Sequence, residues 1–315
     1  LKIKKNDKIF VMLDNSRSLV IAFLSIIYNQ NIFVPVNPNS SLNELNYIIK
    51  KTKPKLAIID IEFKNRLKSN FLKKVYYLNQ KKFFKNLLKD NKKIFKKKIY
   101  GNKNSQILFT SGSTGNPKGV ILTHKSMLTN LYGLYKAFDI KDRNPKFLSV
   151  TPLYHNNGQF IPTLLPIMLG GSTISISPDT SLINFWPVVK KYKINYSSVM
   201  STHINFFNTM NKITKHNVKT LFCGGAKLDK KSQNSFEKKF NIKVFCNYGL
   251  TETSSIAATQ ATRSPTCLTF SIAIACSSFV TGRTPNWCGA SAPVATANTP
   301  GSASTFEVSI DLIFA

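Results

Sequence analysis

The chain has 315 residues, of which 43% are hydrophobic, and its formal net charge is +30. This length and apolar content predict one large domain or two smaller ones, with a sizeable core. They argue against a membrane span, because the longest apolar stretch, near Leu19–Tyr28, is about half as long as a bilayer requires. No signal peptide is visible, so the default expectation is a cytoplasmic location.

The positive charge has two interpretations. It is typical of a protein that binds nucleic acid or a membrane surface, and it is also compatible with lysines spread over solvated faces. The lysines are interspersed with Asn, Ile and Phe almost throughout, which favours the second interpretation. The densest run, Lys81–Lys98, has Phe and Leu spacing that is consistent with an amphipathic surface helix. We therefore expect no specific nucleic-acid partner.

The first hundred residues alternate between strand-like and helix-like patterns. Apolar runs predict strand, helix, strand, helix and strand in the order Ile9–Leu13, Ser18–Gln30, Ile32–Pro38, Ser40–Pro54 and Lys55–Asp60. In the second helix Ser41 and Glu44 have capping-box spacing. One face of that helix is predicted to carry Leu42, Leu45, Ile48 and Ile49. This alternation indicates a parallel α/β layer.

The same alternation continues beyond residue 104. A helix is predicted to begin near Lys125, and further strands are predicted at Ser105–Phe109, Gly119–His124, Lys146–Val150, Ser172–Ser177, Val218–Gly225 and Ile242–Gly249. Each of the last two strands is expected to end in a turn that contains glycine. Such turns at the carboxyl ends of strands are where open α/β sheets bind ligands. Both strands also contain a cysteine, Cys223 or Cys246, in an apolar context typical of a reduced core residue.

The composition changes near residue 255. Lys243 is the last lysine, and residues 256–315 are rich in Ala, Thr, Ser, Pro and Gly. A flexible linker is one explanation. We favour a tail that is foreign to the domain, through a frameshift or misjoined sequence, because composition normally shifts gradually within a domain. The sequence thus predicts a partial domain at residues 1–255, which starts from Leu1 and not from Met, followed by a foreign tail at 256–315.

The segment Phe109–Gly119 reads F-T-S-G-S-T-G-N-P-K-G. Its glycines allow successive backbone N–H groups to face one concavity and bind an anion, and its hydroxyls and lysine suit a polyphosphate. It is not a Walker A loop, since Pro117 stands where a glycine is needed and Gly119 where a hydroxyl is needed. It also leads into an apolar strand and not directly into a helix. A flexible Gly/Ser hairpin is the simpler alternative.

Three further segments follow in order: TPLYHNNG at Thr151–Gly158, CGGAKL at Cys223–Leu228 and NYGLTET at Asn247–Thr253. Together with FTSGSTGNPKGVILTH they resemble the signatures of the adenylate-forming superfamily, which includes acyl-CoA synthetases, aryl-CoA ligases, luciferases and peptide-synthetase adenylation domains. Lys227 departs from the pattern, because proline is frequent at that position. The resemblance covers residues 1–255. It implies the α/β fold of the family's large N-terminal domain, with β-sheets flanked by helices and incomplete at both ends.

The resemblance also implies a reaction. A small-molecule carboxylic acid reacts with ATP to give an acyl-adenylate and pyrophosphate, and coenzyme A then displaces AMP. A carboxylate is already a nucleophile at neutral pH, because its pKa lies near 4. No catalytic triad is therefore needed, and catalysis is mainly electrostatic, through loop N–H groups, a lysine and Mg²⁺.

The resemblance assigns phosphate and metal contacts by position. The β- and γ-phosphates fall to Thr110, Ser111, Gly112, Ser113, Thr114, Gly115 and Lys118. Thr251 is expected to contact the α-phosphate and Glu252 to bind Mg²⁺, since one carboxylate plus phosphate oxygens commonly holds this ion. The alternative for Glu252 is a surface acid at a helix start. Thr251, Glu252, Lys118 and His155 are the expected catalytic residues.

The adenine contacts are assigned in the same way. The ring is expected to lie along Gly224, Gly225 and Ala226, with Tyr248 on its face and Asn247 near its edge. Gly249 completes the expected nucleotide-binding set.

His155 is expected to border the acid pocket or to gate the approach of the thiol, although a lone histidine is more often structural. The structural role is expected for His124, His203 and His216. Pocket shape, which decides specificity, is expected to involve Tyr154, Asn156, Asn157, Gln159, Phe160 and Val199–His203.

Other parts of the family pattern do not occur in the chain. These are a later Asp for the ribose, a hinge Arg, and a small C-terminal domain whose lysine supports adenylation and which rotates between half-reactions. We therefore expect weak or no adenylation by this chain alone. The alternatives are a non-catalytic nucleotide-binding remnant and a peptide-synthetase-like adenylation domain. The identity of the acid and the oligomeric state stay open.

Overall fold

The fold is seen in a computed structural model that describes residues 2–67, 72–80, 82–83, 100–110, 117–211 and 215–259. All of these belong to the compact unit formed by residues 1–274. Several predictions fall outside the described residues. They concern Ser111–Gly115 in the phosphate loop, the lysine-rich run apart from residues 82 and 83, and the tail beyond Thr259.

Within the described residues, one sheet contains the strands Lys8–Met12 (β1), Ile32–Pro35 (β2), Leu56–Asp60 (β3), Val75–Leu78 (β4), Asn104–Thr110 (β5) and Lys118–Thr123 (β6). Their order is β4-β3-β1-β2-β5-β6. Neighbours run parallel, except that β5 and β6 form an antiparallel hairpin. The connections in its first half contain the helices Arg17–Tyr28 (α1) and Leu42–Thr52 (α2) and the 3₁₀ turn Ile61–Phe63.

A second sheet contains Lys146–Ser149 (β7), Ser172–Ser175 (β8), Tyr196–Met200 (β9), Thr220–Gly224 (β10), Lys243–Leu250 (β11) and Ser255–Thr259 (β12). Their order is β12-β11-β10-β9-β7-β8, and in the described part only the β11–β12 pair is antiparallel. The sheet thus continues past residue 255. Helix α3 (His124–Phe138) connects β6 of the first sheet to β7 of the second. The connections within the second sheet contain the helices Asn156–Gln159 (α4), Leu165–Met168 (α5), Ser181–Tyr192 (α6), Ser201–Thr209 (α7) and Lys230–Phe240 (α8), a π-helical turn Phe160–Leu164 and a 3₁₀ turn Pro178–Thr180.

The described elements form five layers in the order helix, sheet, helices, sheet, helices. Each sheet is covered on both faces, because its side chains alternate between two buried clusters. The middle layer holds α1, α3 and the π-helical turn, which meet both sheets in one cluster that includes Val11, Phe23, Leu134, Phe160 and Phe222. Helix α2 covers the outer face of the first sheet. Helices α6, α7 and α8 cover the outer face of the second. The predicted α/β class, with sheets flanked by helices, is confirmed.

The predicted helix starts are confirmed by their caps. The Ser16 hydroxyl accepts a hydrogen bond from Leu19 N at 3.2 Å, and the Ser41 hydroxyl accepts one from Glu44 N at 3.2 Å. The shared apolar face of α2 holds for Leu45, Ile48 and Ile49. The prediction is wrong for Leu42, which is 48% exposed. Leu42 is the first residue of α2, so no preceding helical turn covers its side chain. No helix in the described part of the chain is both long and apolar enough to span a membrane.

Candidate active site

The carboxyl ends of β9, β10 and β11 lie side by side in the second sheet. Met200 pairs with Gly224 across β9 and β10, and Cys223 pairs with Cys246 across β10 and β11. Two of the segments singled out in the sequence, the CGGAKL turn and the NYGLTET strand end, therefore meet at one edge. This is the edge at which open parallel sheets bind ligands.

Helix α4 brings the TPLYHNNG segment to the same edge. The Asn157 side-chain oxygen accepts a hydrogen bond from the Ser198 hydroxyl at 2.8 Å, next to the end of β9. The neighbouring Asn156 donates its side-chain amide to the backbone oxygen of Thr251 at 3.2 Å. Three of the four predicted signatures are thus joined by direct contacts.

The glycine turn at the end of β10, formed by Gly224 and Gly225, is not tightly packed by the surrounding protein. A Cβ placed on Gly224 would lie 3.7 Å from the backbone oxygen of Asn247 and 3.8 Å from Asn157 Nδ2, which is ordinary van der Waals distance. Gly225 has a φ of +84°, which favours glycine, and a Cβ there would meet only Met200 Cγ at 4.0 Å. Protein packing therefore does not require Gly224, and its small size leaves room for another group.

Asn247 packs against this turn, because its backbone oxygen and Cβ lie 3.7 and 3.8 Å from a Cβ placed on Gly224. Its Nδ2 atom is buried and has no hydrogen-bond partner among the described residues, whereas its Oδ1 accepts from the Thr259 hydroxyl. A buried donor without a partner in the protein calls for an explanation, of which a ligand is one. A buried amide donor that has no partner among the described residues, on a residue that packs against a glycine turn, fits a flat heterocycle with ring-nitrogen acceptors, such as adenine.

The prediction that β11 ends at a glycine turn is wrong. The strand continues through Gly249 to Leu250, with a register shift between Tyr248 and Gly249 in its pairing with β12. A Cβ on Gly249 would lie only 1.8 Å from the backbone oxygen of Ser255. Close approach of two backbones thus accounts for this glycine. Tyr248 is 58% exposed, so its ring can pack against a ligand.

Thr251 and Glu252 lie in the turn that joins β11 to β12. The Thr253 hydroxyl closes this turn by accepting from Leu250 N at 3.0 Å. Asn130 of α3 fixes its far side by donating to the backbone oxygen of Thr253 at 3.1 Å. Glu252 is exposed, and no helix begins there in the described structure. The interpretation of Glu252 as an acid at a helix start is therefore wrong.

The phosphate loop joins the antiparallel strands β5 and β6, as predicted, and its last described pair is Thr110 with Lys118. Thr110 is half-buried and Lys118 is exposed. Among the described residues Lys118 has no ion-pair partner. The loop leads into a strand, which separates it from Walker A loops.

His155 precedes α4 and is exposed. Its ring lies 4.7 Å from the Tyr154 ring, centroid to centroid. The surrounding protein still removes enough solvent from the imidazole to lower its pKa, which favours the neutral form. Gly158 has a packing role, because a Cβ there would lie 2.2 Å from the backbone oxygen of Pro152.

Sequence reasoning missed Asn15, which follows β1 of the first sheet. Its Oδ1 accepts from Leu153 N at 2.8 Å, and its Nδ2 donates to the backbone oxygen of Thr151 at 2.9 Å. Asn15 thus fixes the TPLYHNNG segment to the first sheet. The available signal was its position, since polar residues just past the carboxyl end of a parallel strand often belong to a site.

Two other histidines are buried as structural residues. The His203 ring lies 2.9 Å from the Ser181 hydroxyl, and Nδ1 accepts from Met200 N at 3.4 Å. Burial lowers the pKa of His203 to about 4 and also lowers that of His124.

A magnesium site built from protein side chains alone does not occur in the described part of the chain, where no three His, Cys, Asp or Glu residues could hold a metal together. The residues present fit the sparser arrangement in which one carboxylate, here Glu252, shares the ion with phosphate oxygens. ATP would supply those oxygens.

Comparison with known proteins gives concordant findings. Residues 1–276 match the profile of the family described as AMP-binding enzyme. The 4-coumarate--CoA ligase-like 8 of Arabidopsis thaliana is 26% identical over 275 residues, which cover 81% of this chain and 50% of the relative. The nonribosomal peptide synthetase GRA1 of Gibberella zeae is 25% identical over 291 residues, 89% of this chain and 4% of that protein.

Among solved structures, ATP-bound MatB from Rhodopseudomonas palustris has a TM-score of 0.74 at 18% identity and covers 84% of this chain and 54% of that one. This similarity shows the shared fold. The chain spans about half the length of the CoA ligases it matches.

Proposed function

The chain belongs to the AMP-binding enzyme family, and from this we propose that it activates a carboxylic acid with ATP and transfers the acyl group to the thiol of coenzyme A. In the first half-reaction an oxygen of the acid carboxylate attacks the α-phosphorus of ATP, and the bond to the leaving pyrophosphate breaks. In the second, the thiol sulfur attacks the acyl carbon, and AMP leaves.

One observation carries this proposal furthest. Asn247 packs against the turn at Gly224 and Gly225, and its Nδ2 is buried without a hydrogen-bond partner among the described residues, at the edge where Asn156 donates a hydrogen bond to the backbone of Thr251. This arrangement supports an adenine site next to an α-phosphate site. The exposed ring of Tyr248 is available to cover the adenine.

The phosphates are assigned to the hairpin loop. Thr110, the hydroxyls and backbone N–H groups of Ser111–Gly115, and Lys118 form the proposed β- and γ-phosphate site. Negative charge builds on the phosphates as the carboxylate attacks, and fixed donors aimed at that charge lower the barrier. Mg²⁺ held by Glu252 would neutralise part of it as a Lewis acid. The carboxylate needs no general base, since it is ionised at neutral pH.

The chain spans about half the length of its CoA-ligase relatives. Nucleotide binding is expected of the residues present, because the proposed adenine contacts lie within residues 224–252.

The test has two parts. Isotope exchange between pyrophosphate and ATP, measured with a panel of acids, reports adenylation. Calorimetric titration with adenosine 5′-sulfamate, an unreactive AMP mimic, reports the nucleotide site. Exchange that depends on the added acid supports the enzyme. Binding without exchange from any acid favours a non-catalytic nucleotide-binding protein, and absence of both contradicts the site.

A carrier-protein thiol is the second candidate acceptor, and the similarity to a nonribosomal peptide synthetase favours it. Coenzyme A and a carrier protein share the pantetheine thiol, so the first half-reaction is the same. Supplying preformed acyl-adenylate together with either thiol distinguishes them by the thioester that forms.

A further inference from the structure

Below the glycine turn, the inner face of the second sheet carries aromatic rings. Successive side chains on one strand face are two residues apart, or about 7 Å, so Phe222 is the next side chain below Gly224. It is 1% exposed. Phe138 of α3 stacks on it with ring centroids 4.1 Å apart.

The neighbouring strands extend this layer. On β11 the Phe245 ring lies 6.2 Å from that of Phe222, and on β9 the Tyr196 ring lies 6.2 Å from it. Tyr196 is held in place because its hydroxyl donates to Asp142, which also accepts from Lys219. The space between α3 and three adjacent strands is therefore closed by packed rings.

A cavity of about 290 Å³ opens on the far side of this layer, at the amino-terminal edge of the sheet. Phe138, Tyr196, Phe222 and Phe245 line it, with Asp142 and Lys219 among the polar residues at this edge. Phe222 thus has the glycine turn above it and the cavity below it. One layer of rings separates the proposed nucleotide edge from existing empty space.

We propose that Phe222, backed by Phe138, is the floor of the acid pocket and restricts the substrate to compact carboxylic acids, meaning short-chain or single-ring acids. This rests on the proposed function. From the glycine turn, an apolar acyl group leaves water by running down the inner face, and Phe222 ends that path after about 7 Å. A long alkyl chain would have to displace packed core rings, which interiors resist.

The experiment measures binding to the 315-residue chain, so it does not depend on turnover. The ligands are adenosine 5′-sulfamate and its acetyl, benzoyl and dodecanoyl derivatives, which are unreactive mimics of the acyl-adenylate. The wild type is expected to bind the acetyl and benzoyl compounds with similar affinity and the dodecanoyl compound at least about tenfold more weakly. In Phe222→Ala the shortened side chain joins the pocket to the cavity, and this difference is expected to shrink to within about threefold.

Phe236→Ala is the matched control. Phe236 is 0% exposed and packs on the outer face of the same sheet, so its truncation creates a similar void away from the pocket. It is expected to lower stability and to leave the preference for short acyl groups unchanged. If Phe222→Ala does not fold, Phe222→Leu enlarges the pocket with a smaller loss of packing.

Each outcome has a distinct meaning. Equal wild-type affinity for the dodecanoyl and acetyl compounds overturns the proposal that Phe222 is the floor of the acid pocket. So does a Phe222 variant that still rejects the dodecanoyl compound, or a Phe236 variant that accepts it. Failure of unsubstituted adenosine 5′-sulfamate to bind contradicts the proposed function itself, and the inference is then overturned together with it.

Discussion

Asn156 donates its side-chain amide to the backbone oxygen of Thr251 at 3.2 Å, although 95 positions separate the two residues in the chain. Asn156 is 6% exposed. The bond fixes helix α4 against the turn proposed to contact the α-phosphate and Mg²⁺. It therefore couples the acid side of the site to the nucleotide side.

Replacing Asn156 with Ala tests this coupling. The loss of one partly buried hydrogen bond is expected to lower the free energy of unfolding by about 1 kcal/mol and to weaken binding of adenosine 5′-sulfamate by about tenfold. Calorimetric titration and denaturant unfolding measure the two effects. Asn208→Ala is the control, since Asn208 of α7 donates an equivalent bond to the backbone oxygen of Ser232 in α8 at 3.0 Å, away from the proposed site. Equal losses of ligand affinity in both variants would remove the special role of Asn156.

Two glycines are expected to respond differently to the same substitution. Gly224→Ala adds a methyl group at ordinary contact distance, so we expect stability to change by less than about 1 kcal/mol and binding of adenosine 5′-sulfamate to be lost. Gly249→Ala places Cβ 1.8 Å from Ser255 O, so we expect destabilisation of more than about 4 kcal/mol. Thermal unfolding and titration on both variants give the comparison. A Gly224→Ala protein that binds normally would show that no ligand occupies the turn.

Lys118→Met tests whether this lysine contacts the β- and γ-phosphates and not the α-phosphate. The exposed side chain has no ion-pair partner among the described residues, so stability should stay within about 0.5 kcal/mol of the wild type. ATP affinity is expected to fall by about tenfold, because one charge-assisted contact is lost, whereas affinity for AMP stays unchanged. Lys125→Met, another exposed lysine near the hairpin, is the control. An equal loss of AMP affinity would contradict the assignment of Lys118 to the β- and γ-phosphates.

The buried His203 predicts a pH dependence of stability. Its pKa is about 4 in the folded chain and about 6.5 when unfolded. The unfolded chain therefore binds more protons between these values, and the free energy of unfolding falls as the pH drops from 6.5 towards 4, by roughly 3 kcal/mol across the window. Above about pH 6.5 the contribution is constant.

His203→Asn removes this titration. We expect a smaller drop in Tm between about pH 7.5 and about pH 5 in the variant than in the wild type. His124 and His155, whose pKa values are also lowered by burial, contribute to the remaining slope in the same direction. An unchanged drop in Tm would assign the dependence to groups other than His203.

Most strands of this chain and its helices α1 to α3 were predictable because their apolar residues recur with the period of each element. Strands β4, β9 and β12 and helices α4 to α8 were not predicted. The site signatures were predictable because hydroxyls, glycines and a lysine in FTSGSTGNPKG have few purely structural uses. The partition of the strands into two sheets was not predictable, since strand order depends on packing between segments more than a hundred residues apart, such as Asn15 with Thr151.

Gly249 shows a second limit. From the sequence it looks like the glycine of a ligand-binding turn, but in the structure it allows β11 and β12 to approach. A glycine that makes room for a ligand cannot be distinguished in the sequence from one that makes room for another backbone. The position of the neighbouring strand distinguishes them. The role of Asn15 was equally hard to predict, because asparagine is also a common turn residue.

The bonds from Asn15 to Thr151 and from Asn156 to Thr251 span 136 and 95 positions. Contacts of such long sequence separation form late in folding, because the entropy of closing large loops must be overcome first. The proposed nucleotide edge belongs to the second sheet, whereas the phosphate hairpin and Asn15 belong to the first. The complete proposed site therefore requires both sheets, and a nucleotide that contacts both is expected to stabilise their association.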